Sequence, residues 1–296
     1  MTAQTEVPGF NLRRPCRYGE MVFHRQDRFI GRSLDRYGEW AEYEIAWLRQ
    51  MLRAGDTVVD AGANVGTHTL PLARHVGPSG HVVAFEPQRL IFQALCANLA
   101  LNSLANVDAW QAALGATSGA MIVPAMDPAR TMNFGGVSLG GFAEGESVPL
   151  TTIDALDLAA CHLIKIDVEG MESAVLQGAA ATISRHQPIL YVENDRQAQV
   201  APLIQQIQAQ GYRLWWHVST FFHPDNCNGV AKNVFPDLFG MNMLALPPDS
   251  DVVPEAHPAY RVAVGAPTAS DLTNAHAFGL PVLGGEIILP IPSLRQ

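Results

Sequence analysis

The chain has 296 residues, 48% apolar and 16% charged, with 19 Lys and Arg against 28 Asp and Glu for a net charge of −9. That length holds one large or two small domains with a real core, and the apolar fraction excludes a disordered chain. The acidic balance lacks the basic footprint that phosphate backbones demand, so no nucleic-acid partner is expected.

Residues 1–38 read as an N-terminal extension, irregular over 1–20. Trp40, Tyr43, Ile45, Trp47, Leu48 and Met51 recur at helical spacing, which predicts a helix over 39–53 ended by Ala54-Gly55. Thr57-Val58-Val59 then runs into Asp60-Ala61-Gly62, a buried strand meeting a turn, and a helix follows over 65–75 with Pro71 inside it. The pattern repeats: a strand over 81–86, then a helix over 88–101 with Ile91, Leu95 and Leu99 on one face. Third, fourth and fifth strands are predicted at 106–111, 163–168 and 188–193, with helices at about 172–177 and 197–209. Strands at 212–217 and 241–246 complete a domain over 39–246. The alternation implies right-handed crossovers and a parallel sheet covered on both faces. Two regions break the rhythm. Residues 114–150, with Gly135-Gly136 and Gly140-Gly141, read as hairpins or a loop excursion, and Pro-rich 247–296 as an extended C-terminal appendage.

Cys16, Cys96, Cys161 and Cys227 form no C-x-x-C pair, so neither a zinc ribbon nor a dense disulfide framework is expected. The start, MTAQTEVPGFNLRRPC, has no apolar stretch of signal-peptide length, and no run of about 18 apolar residues occurs anywhere. A cytoplasmic protein with no membrane span is the expectation.

Three motifs carry chemistry. The first is Asp60-Ala-Gly62-Ala-Asn64-Val-Gly66, followed by Glu86 at the end of the second strand. A strand entering a Gly-rich turn and a helix is the general device for adenosine-containing cofactors, and the later acid can accept hydrogen bonds from both ribose hydroxyls. A dinucleotide fingerprint would begin with glycine where Asp60 stands. A fixed carboxylate there repels a pyrophosphate and suits a sulfonium or amine, which favours S-adenosylmethionine over NAD. The second motif is Lys165-Ile-Asp167-Val-Glu169-Gly170, with Lys165 and Asp167 on one face of the strand and Asp167 and Glu169 at its carboxyl end. Its plain alternative is a Lys165 salt bridge beside an exposed acidic turn. The third is Glu193-Asn194-Asp195 after the fifth strand, where Glu193 can serve as a base and Asp195 as a helix cap. His68, His217 and His223 fall nearest the crevice, and Trp215-Trp216 read as core. No H-x-x-x-H spacing supports a set such as Asp167, Glu193 and a His, so no metal is expected.

The segments YGEWAEYEI, VVDAGANVGTHTLPLA, VVAFEPQ, NFGGVSL, LTTIDAL, LIKIDVEGMESAVLQGA and ILYVEND, in this order over roughly residues 35–246, resemble the FkbM family of S-adenosylmethionine-dependent methyltransferases. The resemblance implies the class I methyltransferase fold, a Rossmann-like α/β seven-stranded sheet with a reversed last strand and helices on both faces. It also implies O-methylation of a hydroxyl on a sugar, glycan or secondary metabolite. On these motifs Asp60, Gly62, Asn64 and Gly66 would line the methionine part of the cofactor, Glu86 would hold the ribose, and Asp167 would border the donor methyl. Asp167, Glu169, Glu193, or Lys165 with a lowered pKa, is expected to take the acceptor's proton. The rival classes are a nicotinamide-dependent oxidoreductase, against which Asp60 argues, and a non-catalytic cofactor-binding module.

Overall fold

A computed structural model describes residues 9–252, apart from Leu139 and Asp237, and the strand Glu286–Ile291; the side chains of Gln197 and of that strand are not described. In chain order the elements are β1 (Asn11–Cys16), β2 (Gly19–His24), α1 (Ile30–Tyr37), α2 (Glu42–Met51), β3 (Thr57–Ala61), α3 (Thr69–Val76), β4 (His81–Phe85) and α4 (Arg89–Leu101). Next come β5 (Val107–Trp110), β6 (Ala113–Leu114), β7 (Gly119–Val123), β8 (Glu146–Thr151), β9 (Leu163–Ile166), α5 (Glu172–Gln177), α6 (Ala180–His186) and β10 (Ile189–Glu193). The chain continues through α7 (Gln197–Gln208), β11 (Arg213–Thr220), β12 (Phe239–Leu246) and β13 (Glu286–Ile291).

The main sheet runs β13-β11-β12-β10-β9-β3-β4-β5. From β10 to β5 every pairing is parallel, whereas β12 is antiparallel to both β10 and β11. The seven expected strands thus form the class I methyltransferase order with a reversed last strand. An eighth, β13, pairs antiparallel with β11 and lies within the segment expected as an appendage. Of that segment, 253–285 and 292–296 lie outside the described residues.

Alternation within each strand divides the core. Val59, Ala61, Ile164 and Ile166 pack on one face with Val175, Leu203 and Ile207 of the following helices. Val58 and Leu163 face the other way, onto Leu48 of α2 and Leu72 and Val76 of α3. Asp60 and Lys165 share the parity of this second face, so two charged groups enter an apolar layer. Pro71 sits at the third position of α3, in the first turn, where its missing N–H leaves no hydrogen bond unmade. Around the region 114–150, β6, β7 and β8 form a small three-stranded sheet in the order β6-β8-β7.

The irregular reading of 1–20 is corrected within its described part, where residues 11–24 form a hairpin followed by α1; residues 1–8 lie outside the described residues. Pro15 is tolerated because β1 has no partner on its other side among the described residues. Met21 and Phe23 pack with Ile91, Leu95 and Leu99 of α4. Asn98, fully buried, closes this contact. Its Oδ1 accepts from Val22 N at 2.6 Å, and its Nδ2 donates to Val22 O at 2.9 Å and Val65 O at 2.8 Å. One amide therefore ties the hairpin to the turn after β3. Asn98→Ala leaves buried backbone groups unpaired and is expected to lower the unfolding free energy by roughly 1–3 kcal/mol. Chemical denaturation checks this; an unchanged midpoint would show that the hairpin is not held through Asn98.

Candidate active site

The chain winds outward from β3 to β4 and β5, then returns to β9 and β10 on the other side. In open α/β sheets such a switch point opens a crevice at the strands' carboxyl ends. Here it is a cavity of about 370 Å³, walled by Gly62, Asn64, Glu86, Asp167, Glu169 and Glu193 among others.

The turn after β3 is built to lie close. Gly62 has φ +82°, and a Cβ there would stand 1.8 Å from the carbonyl oxygen of Asp167. Only glycine allows the turns of β3 and β9 to meet. Asn64 also takes a left-handed conformation, φ 50°, and its Oδ1 accepts from Val65 N. Gly66 packs instead against Leu70 and Leu95 and is not on the cavity wall.

Every backbone N–H of this turn already has a partner. Gly62 N and Ala63 N donate to Phe85 O, and Gly66 N donates to Ala63 O. Asn64 N donates to Glu86 Oε2 at 3.1 Å. Glu86 Oε1 accepts from Gln88 N at 2.8 Å, so both oxygens of Glu86 are aligned from the backbone. Glu86 is 6% exposed; burial pushes its carboxyl up to about 7, although the two N–H groups pull against it.

Asp60 lies beneath the cavity and is not on its wall. It is fully buried. Thr69 Oγ1 donates to its Oδ2 at 2.7 Å, and Lys165 Nζ stands 3.3 Å from its Oδ1. The expectation that this carboxylate faces a ligand is therefore revised: its charge is taken up by Lys165. Lys165, 3% exposed, also donates to Gly62 O at 3.1 Å and lies 3.5 Å from Asp167 Oδ2. Burial alone would lower its pKa, but Asp60, Asp167 and Glu44 outweigh burial and hold the ammonium above its ordinary range. The lowered pKa expected of a Lys165 base is corrected: its carboxylate neighbours raise the pKa instead.

Asp167, Glu169 and Glu193 come together, each offering an oxygen within 4.8 Å of the others. Glu169 has φ 57° and receives Arg196 Nη2 at 2.5 Å. Burial and Asp167 push Glu169 up to about 8, with Arg196 opposing them. Burial, then Asp167 and Asp195, hold Glu193 well above the usual carboxylate range. Asp195 does not cap α7, whose N-cap is Arg196; it lies exposed at the cavity wall.

Of the three histidines, only His68 reaches the wall. Its Nε2 lies 3.3 Å from Glu44 Oε2. Burial works to raise the Glu44 pKa, but His68, His217 and Lys165 bring it below its ordinary value. Glu44 sits on α2 among apolar neighbours in sequence, so its role is visible only once α2 packs over the sheet. His217 bonds the Tyr191 hydroxyl, and His223 stands 3.7 Å from Glu39. Trp215 and Trp216 are core, as expected. Trp40 and Phe221 stack at 4.1 Å between ring centroids and form an aromatic wall of the cavity.

The sheet order and this crevice define a protein of the class I methyltransferase fold. The Methyltransferase FkbM domain matches residues 60–214, just over half of the chain, and the chain belongs to that family. It is 40% identical over 65 residues to methyltransferase sdnD of Sordaria araneosa, which is 22% of this chain. The chain spans about a quarter of the length of that curated relative. Among solved structures, it resembles the FkbM methyltransferase of Methylobacillus flagellatus KT with TM-score 0.46 and 19% identity, over 66% of this chain and 45% of that one. It also resembles an rRNA methylase of Streptococcus thermophilus with TM-score 0.41 and 12% identity, over 69% and 95%. A SAM-dependent O-methyltransferase of Thermotoga maritima aligns with TM-score 0.39 and 16% identity, over 69% and 65%. No helix among the described residues is long and apolar enough to cross a membrane.

Lys165→Met strands Asp60 as a buried charge without its cation, at an expected cost of about 3–5 kcal/mol in unfolding free energy. Adding Asp60→Asn removes the stranded charge and is expected to recover most of that loss. Denaturant titration of the single and double variants reads both; additive losses would contradict the pairing.

Proposed function

We propose that this protein transfers a methyl group from S-adenosylmethionine to a hydroxyl oxygen of a sugar, glycan or secondary metabolite. The carrying observation is the turn after β3, in which each N–H from Gly62 to Gly66 is satisfied within the protein. A pyrophosphate needs free amides at such a turn, and this turn has none to offer. The reading against a nicotinamide dinucleotide therefore rests on the turn's hydrogen bonds rather than on Asp60. The cavity is otherwise acidic, with Glu44, Glu86, Asp167, Glu169 and Glu193 on its wall against Lys165 and Arg196. That balance favours a cationic ligand.

The residues present fit the donor. Glu86, with each oxygen oriented by one N–H, keeps lone pairs for two vicinal ribose hydroxyls. Gln88 Oε1 is buried without a hydrogen-bond partner among the described residues, in a side chain on the cavity wall, where an exocyclic amine would satisfy it. Gly62 and Asn64 would pass along the methionine part, and Asp167 would border the donor methyl. S-adenosylmethionine, when bound, supplies an electrophilic methyl whose C–S bond breaks with its electron pair left on sulfur.

The acceptor oxygen must line up with that bond and lose its proton as the O–C bond forms. Alignment is worth about 7–11 kcal/mol of barrier. The Trp40–Phe221 wall offers aromatic faces that suit the C–H face of a sugar ring. Asp167, Glu169 or Glu193 takes the proton on a carboxylate oxygen, a contribution of about 10²–10⁴-fold. Lys165 stays protonated and holds Asp60 and Asp167 in place. The net charge of −9 supports a small or glycan acceptor over nucleic acid.

Incubation with isotopically methyl-labelled S-adenosylmethionine and separate panels of sugars, glycans, RNA and protein tests the reading. Label is expected in an alkali-stable methyl ether, with turnover falling about 10²–10⁴-fold in Glu193→Gln. Label confined to RNA or protein would overturn it.

Glu86 adds a pH dependence. Its folded pKa of about 7 exceeds the ordinary 4.5, so its contribution to stability is full below 4.5 and is lost as pH rises through about 7. Ribose hydroxyls bind the ionised form, so affinity for S-adenosylmethionine is expected to increase from about pH 6 to about pH 8. Glu86→Gln should flatten that profile; calorimetric titration at each pH decides.

A further inference from the structure

We propose that Asp167, Glu169 and Glu193 bind one hard divalent cation, of the Mg²⁺ or Mn²⁺ kind, with the side-chain oxygen of Asn242 as a fourth donor. The three carboxylates leave the carboxyl ends of the adjacent parallel strands β9 and β10, and one oxygen of each lies within 4.8 Å of the others. Oxygens that share one ion at about 2.0–2.6 Å stand at most about 5 Å apart, so this spacing is that of ligands about a common centre. All donors are oxygen, which selects a hard ion over zinc or copper.

Asn242 is the independent observation. It is 6% exposed, lies on the same cavity wall and makes no side-chain hydrogen bond among the described residues. It stands directly opposite Glu193 in the antiparallel β10–β12 pairing, so both side chains leave the same face. The side chain lines the cavity, where an ion shared with Glu193 would take up its oxygen. Lys165 and Arg196 pair with Asp167 and Glu169, and no ion pair to Glu193 occurs among the described residues. Repulsion among the carboxylates is the state that a bound cation relieves.

The use of this ion rests on the methyl-transfer reading: it would hold the acceptor's hydroxyl oxygen and favour loss of its proton. Its binding does not rest on that reading. The test is titration of the full chain, freed of metal by chelator, with Mn²⁺ alone, followed by electron paramagnetic resonance. One saturable site per chain is expected. Affinity should fall at least about 10-fold in Glu193→Gln and in Asp167→Asn, and change less than about twofold in Glu146→Gln, which lies outside the cavity. Asn242→Ala, the milder change, should lose at least about threefold and decides the matter if a carboxylate variant fails to fold by circular dichroism. Absence of saturable Mn²⁺ binding, or binding indifferent to all of these cavity variants, overturns the site. Calorimetry with S-adenosylmethionine on the same samples separates the two readings. Intact donor binding without Mn²⁺ binding removes only the cation; Mn²⁺ binding without donor binding removes only the methyl-transfer reading.

Discussion

A single ammonium, Lys165, stands at the wall of the crevice above the buried Asp60, and the geometry around it depends on that charge. Burying a lysine is expensive unless opposite charge surrounds it. Here Asp60 on β3 and Asp167 beyond β9 supply that charge, while Gly62 O accepts a hydrogen bond from the same nitrogen. The interaction spans β3 and β9, the parallel neighbours at which the order of strand addition switches sides. It fixes their carboxyl ends against each other closely enough that Gly62 touches the Asp167 carbonyl, where no side chain fits.

The pairing also decides which charges the cavity presents. Asp60 is spent on Lys165, so the negative character of the crevice comes from the next layer out: Glu86 on one side, and Asp167, Glu169 and Glu193 on the other. Glu86 takes the Asn64 N–H, Phe85 O takes those of Gly62 and Ala63, and those of Val65 and Gly66 close within the turn. A loop that resembles a phosphate cradle in its glycine content thereby has no free amide from Gly62 to Gly66. Burial, and then the neighbouring Asp167, raise the Glu169 pKa above its ordinary value, which suits a group that exchanges protons.

Much of this was legible in the amino-acid order because parallel strands are buried on both faces and end in short turns. Val58-Val59 before Asp60, and Ile164 and Ile166 around Lys165, announce their strands locally. Gly62 and Glu86 could be placed because their spacing is a property of one βαβ unit. What escaped depends on partners distant in sequence. The hairpin over 11–24 carries little apolar alternation and is held by Asn98, far along the chain. The partner of Asp60 was on the page as Lys165, but its parity argued only for a shared face and not for a contact. Glu44 and His68 meet because α2 lies over the sheet, and Asn242 faces Glu193 only through the register of the reversed strand. The strand β13 was hidden by a Pro-rich surrounding that reads as extended chain.

The claim at the centre is that the satisfied turn and the acidic crevice together select a sulfonium-bearing adenosyl ligand over an adenine dinucleotide. Side-by-side calorimetry of the purified chain with S-adenosylmethionine and with NAD⁺ tests it most directly. The account predicts saturable one-to-one binding of the first, weakened by Glu86→Ala, and no measurable heat from the second. Tight binding of NAD⁺, with S-adenosylmethionine silent, would contradict it.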